Sequence, residues 1–178
     1  MPLLLGVALV VASVTFYIAD LPTERAAFPY DMATFVERWN NQAATAGRPT
    51  LFISDPVDTL TGDGAVIEYR WSSTMRLRAR TEKVGTRLVE VSVVGSPDSD
   101  DPAFLAAAID LLVAATEPDL AADGRRAVLQ ELGIVGGSDA DLRAVRGGTD
   151  YVAASAVGGL VGVGAAPHSA FANPDLDG

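Results

Sequence analysis

From Leu3 to Ala19 the chain reads LLLGVALVVASVTFYIA, a run without a charge, and only after Tyr30 do the apolar positions become periodic. As a helix this first run spans about 25 Å, slightly short of a ~30 Å hydrocarbon core. It predicts a signal peptide or membrane anchor over residues 1–19. Only Met1 and Pro2 precede it, so a positively charged n-region is missing. The competing reading is a helix or strand buried in a core. Residues 20–29 read as a linker, charged and carrying Pro22 and Pro29.

A helix is predicted next. Asp31 is a good N-cap, and Tyr30 and Phe35 stand at the spacing of a hydrophobic staple. Met32, Phe35, Val36, Trp39 and Ala43 form one apolar stripe at helical spacing, ended by Gly47 and Pro49. Asn40 and Asn41 are poor helix formers, which suggests side-chain hydrogen bonds to a neighbouring element.

From Thr50 the period changes to two. Leu51 to Ser54 reads as a short strand, followed by a polar loop through Asp55-Pro56 and Gly62-Asp63-Gly64. Ala65 to Trp71, Met75 to Arg80 and Leu88 to Val93 each alternate apolar with polar or charged residues, the pattern of an antiparallel meander. Asp101-Pro102 then opens an Ala/Leu-rich helix over Phe104–Thr116, apolar nearly all round except Asp110 and so expected beneath other elements. A further helix is predicted over about Leu120–Leu132, then a polar loop from Gly136 to Gly148. Tyr151 to Ala166 is β-branched, small and uncharged, and reads as a hairpin turning at Gly158-Gly159, with a loose tail over 167–178.

The expected fold is α+β: an antiparallel sheet of about five or six strands, packed on one face by two or three helices, in the order α-β-β-β-β-α-α-β-β. The globular domain is expected over residues 30–166. In element order alone this resembles cystatin-like and secretion-chaperone-like domains, and a likeness of layout implies nothing about activity.

The length of 178 residues fits one domain. A net charge of −10 disfavours nucleic-acid binding by repelling phosphate backbones. The absence of Cys excludes disulfides, thiolate metal sites and Cys nucleophiles, and the one His, His168, excludes any mechanism with two imidazoles. The stretch Ser96–Asp101 lacks the glycine turn and terminal Glu of a calcium loop. The glycines of Gly158–Gly164 match no nucleotide fingerprint, and no nucleophile-elbow motif accompanies His168. No cofactor, metal or catalytic residue is therefore expected.

Against the acidic whole, Arg70, Arg76, Arg78, Arg80, Lys83 and Arg87 cluster in one stretch. Alternation puts Arg76, Arg78 and Arg80 on one face of one strand, with Arg70 beside them. These four form a candidate site for an anionic group: a carboxylate, a phosphate or an acidic protein surface, which arginine forks pair well. The competing reading is a solvated face of cross-strand ion pairs, or a self-contact with Asp98, Asp100 and Asp101.

The expected function is an exported or membrane-anchored binding domain, its partner a protein or acidic ligand, with membrane contact through the N-terminus. The alternatives are a carboxylate hydrolase using Glu68, Glu82 or Glu90, and a structural envelope component that pairs through an exposed edge at residues 151–166.

Overall fold

Asp31 caps the first helix as its position predicts: its Oδ1 accepts from the Thr34 backbone N–H at 2.9 Å. That hydrogen bond holds the Asp31 carboxyl below its ordinary range. The computed structural model describes residues 26–61, 64–82, 86–96, 102–136, 142–155 and 160–168. The apolar run Leu3–Ala19, the Gly158-Gly159 turn and the acidic residues 98–101 lie outside the described residues. Among the described residues no helix is long and apolar enough to cross a membrane.

Helix α1 runs Met32–Thr45 and buries Phe35, Trp39 and Ala43, the predicted stripe. Four strands follow: β1 Val57–Thr61, β2 Gly64–Arg70, β3 Arg76–Thr81 and β4 Leu88–Gly95. Helices α2 Pro102–Thr116 and α3 Ala122–Glu131 come next, then β5 Arg143–Arg146, β6 Thr149–Ser155 and β7 Val161–Pro167. The seven strands form one sheet in the order β1-β2-β3-β4-β7-β6-β5, antiparallel at every pairing. The chain meanders to β4, leaves through α2 and α3, re-enters at the far edge as β5 and folds back to place β7 against β4.

This is the expected α+β arrangement, with two local differences. Leu51–Ser54 is not a strand. Pro49–Leu51 is a 3-10 turn, and the first strand starts at Val57, inside the predicted loop. The reason is α1 itself. Trp39 donates its indole N–H to the Leu51 carbonyl at 2.7 Å, and Asn40 brackets Ile53 with hydrogen bonds to its N–H at 2.8 Å and its carbonyl at 2.9 Å. Those backbone groups are spent on the helix and are unavailable to a ladder. The second difference is β5, a short strand in what reads as a polar loop. It adds a seventh strand because Ala144 is buried beside α3 while Arg143 and Val145 face outward.

One face of the sheet is apolar and carries the helices. Leu77, Ala79, Val91, Val93, Tyr151, Ala153, Val163 and Ala165 join Leu105, Ile109 and Leu112 of α2 in a single core. The core reaches back into the predicted linker. Phe28 is buried, stacks on Tyr30 with ring centroids 5.1 Å apart, and donates its backbone N–H to Leu88 at 2.7 Å. Burial pushes the phenols of Tyr30 and Tyr151 above their ordinary value. Tyr151 still has a partner, the Thr116 hydroxyl at 2.7 Å.

Candidate functional site

Residues directly opposite one another in a sheet share a face, so the strand register maps the side opposite the helices. One row across it reads Glu68 (β2), Arg78 (β3), Ser92 (β4), Gly164 (β7), Val152 (β6) and Arg143 (β5). The next row toward the start of β3 reads Arg70, Arg76, Val94, Gly162 and Ala154. On the other side lie Val66, Arg80, Glu90 and, on β6 and β5, Asp150 and Val145. The alternation of β3 puts Leu77 and Ala79 into the core and turns all three of its arginines to this face.

The four arginines picked out by the sequence are thus neighbours, as expected, but they are not equivalent. Arg70 donates from Nε to Glu68 at 2.6 Å. Arg80 has Glu90 at 3.8 Å. Arg76 and Arg78 have no carboxylate partner among the described residues. Both are half-buried, so their guanidiniums emerge from the sheet on stems that pack against it.

The far side of the face holds a cluster that sequence reading leaves scattered between a loop, a strand and a tail. Asp150, fully buried, accepts at Oδ1 from Arg143 Nη2 at 3.2 Å and lies 3.2 Å from His168 Nδ1. Its second oxygen, Oδ2, is buried without a hydrogen-bond partner among the described residues. Arg143 and His168 are about half exposed, their side chains 49% and 56% accessible, so both are tethered from below while their outer nitrogens face solvent. The arrangement is the acid–imidazole half of a triad. His168 Nε2 has no hydrogen-bond partner among the described residues, and Ser169 lies outside them. The signal for β5 was present as the alternation Arg143-Ala144-Val145-Arg146, but four residues are too few to separate a strand from a loop.

The proposed carboxylate acids are each held by an arginine: Glu68 by Arg70, Glu90 by Arg80, and Glu82 by Arg87. A carboxylate already paired to an arginine is a poor start for general acid work, so this geometry weighs against the hydrolase reading. The edge expected at residues 151–166 is not an edge. β6 is paired on both sides, by β5 and β7, and β7 by β6 and β4. The free edges belong to β1 and β5, because the helical crossover returns the chain at the margin and the last two strands fill inward.

Taken together, fold and face define a small α+β domain with one helix-covered and one arginine-bearing side of a seven-stranded sheet. Compared with family models, curated proteins and solved structures, the chain matches none, so the likeness of layout to cystatin-like and secretion-chaperone-like domains gains no support there.

Proposed function

We propose that this domain is a binding module that captures an acidic group on the face of its sheet opposite the described helices, and that the apolar N-terminus exports it or anchors it to a membrane. One observation carries the binding reading. The face bears Arg70, Arg76, Arg78, Arg80 and Arg143 against Glu68, Glu90 and Asp150, and all three carboxylates are committed to an arginine, leaving Arg76 and Arg78 without a carboxylate partner among the described residues. A local cationic excess in a chain of net charge −10 attracts acidic ligands to that face and leaves the remaining surface repelling them.

The test is a titration of the full chain with hexaglutamate, followed by fluorescence anisotropy. The double variant R76S/R78S is expected to bind at least tenfold more weakly than the unsubstituted chain. R70S, which removes one cation and releases Glu68 opposite Arg78, is expected to weaken binding less than R76S/R78S. Equal affinity of R76S/R78S and the parent overturns the reading. Placement rests on Leu3–Ala19 alone. Fractionation of cells carrying a C-terminal tag is expected to recover the protein in membranes or outside the cytoplasm. Recovery wholly in the cytosol removes that part.

A further inference from the structure

Gly164 sits in the middle of β7, a strand of the sheet interior, where glycine weakens packing and costs chain entropy. Its backbone does not need glycine, for it lies outside the left-handed region, and a Cβ added there would meet nothing within 4 Å. Glycine inside a strand often marks a bulge, a tight bend or the close approach of a ligand or another backbone, and β7 keeps an unbroken register through Gly164. The open space lies on the face opposite the described helices, since Gly164 pairs with Ser92 on one side and Val152 on the other. Beyond Ser92 stands Arg78, and beyond Val152 stands Arg143.

We infer that Gly164 floors a seat for a side-chain carboxylate of an extended acidic protein segment, held between Arg78 and Arg143. The inference rests on the binding role proposed above and names its occupant. Strands are about 4.8 Å apart, so each arginine backbone stands about 10 Å from Gly164, on opposite sides, and both long side chains can lean over the seat. Arg78 has no carboxylate partner among the described residues, and Arg143 is half exposed. Asp150 holds Arg143 through Nη2 alone, and the other guanidinium N–H groups of Arg143 have no partner among the described residues. A planar carboxylate suits two guanidinium forks. An extended segment places alternate side chains about 7 Å apart, the separation of Arg76 and Arg78 along β3, so a second carboxylate two residues away meets Arg76.

The experiment uses the full chain, hexaglutamate as probe and inorganic phosphate as competitor. Gly164→Val fills the space with a residue suited to strands, and is expected to weaken hexaglutamate binding at least tenfold with an unchanged or higher thermal midpoint. Arg143→Gln, expected to weaken it severalfold, decides the matter if Gly164→Val does not fold. Phosphate is expected to compete only at much higher concentration than the peptide. Wild-type affinity in both variants, with R76S/R78S still impaired, overturns the seat and spares the anionic face. Wild-type affinity in all three overturns both. Displacement by phosphate at concentrations equal to the peptide's identifies a bare-oxyanion site and overturns the acidic-segment occupant.

Discussion

Replacing Trp39 with Ala is expected to destabilise the fold by about 3–5 kcal/mol, the usual cost of removing a buried large aromatic side chain. The ring is fully buried, stacks on Trp71 with centroids 5.4 Å apart and packs against Phe35 at 5.9 Å. Its indole N–H is also the partner of the Leu51 carbonyl, so truncation adds an unsatisfied acceptor worth roughly 1–3 kcal/mol if water does not reach it. At about 2–4 °C per kcal/mol for a domain of this size, the midpoint of thermal unfolding should fall by roughly 10 °C or more. Trp39→Phe separates the contributions, because it keeps a ring in the core and loses only the hydrogen bond and part of the volume. Urea melts with unchanged slope read the difference directly. A loss below about 1 kcal/mol for Trp39→Ala would show that α1 is not fastened to the sheet through this residue.

Gly64→Val is expected to cost about 3 kcal/mol or more, and the comparison with Gly164→Val makes the result informative. Gly64 has φ +120°, a region L side chains rarely adopt, and a Cβ there would collide with the backbone carbonyl oxygens of Thr81 and Glu82. A backbone oxygen cannot swing aside as a side chain can, so β2 would separate from β3 at this end. The neighbouring tie, Ala65 N–H to the Thr81 hydroxyl at 3.0 Å, would be lost with it. Gly164 has neither the conformation nor the collision. Chemical denaturation of the two variants side by side should give a large loss at Gly64 and none at Gly164. Similar losses at both positions would mean that glycine is needed at Gly164 for the fold, and the binding seat would lose its rationale.

Much of the fold was legible along the chain. Asp31 as a cap, the stripe from Met32 to Ala43, the alternation of β2, β3 and β4, and the all-round apolar α2 are local patterns, and local patterns survive folding because each element must bury its own apolar face. Asn40 was legible as an oddity, a poor helix former beside Trp39, and Ile53 is its reason. The clustering of Arg70, Arg76, Arg78 and Arg80 was legible too, since period two sorts a strand's residues into faces before any partner is known.

Which of those arginines is free was not legible. Arg70 pairs with Glu68 two residues back on the same strand, but Arg80 meets Glu90 only through the β3–β4 register, and register is a tertiary property. The meeting of Arg143, Asp150 and His168 needs the pairing of β5 with β6 and of β6 with β7, Ile53 is claimed by Asn40 of α1, and the inward position of β6 and β7 follows from the pairing of β7 with the distant β4. Periodicity determined what each segment is and which way its residues point; the packing of segments against one another completed the count of which charges are spent and which remain to meet a partner, because a charge is neutralised by whatever stands within a few ångströms of it, whether a chain neighbour such as Glu68 beside Arg70 or a residue brought in by the fold such as Glu90 beside Arg80.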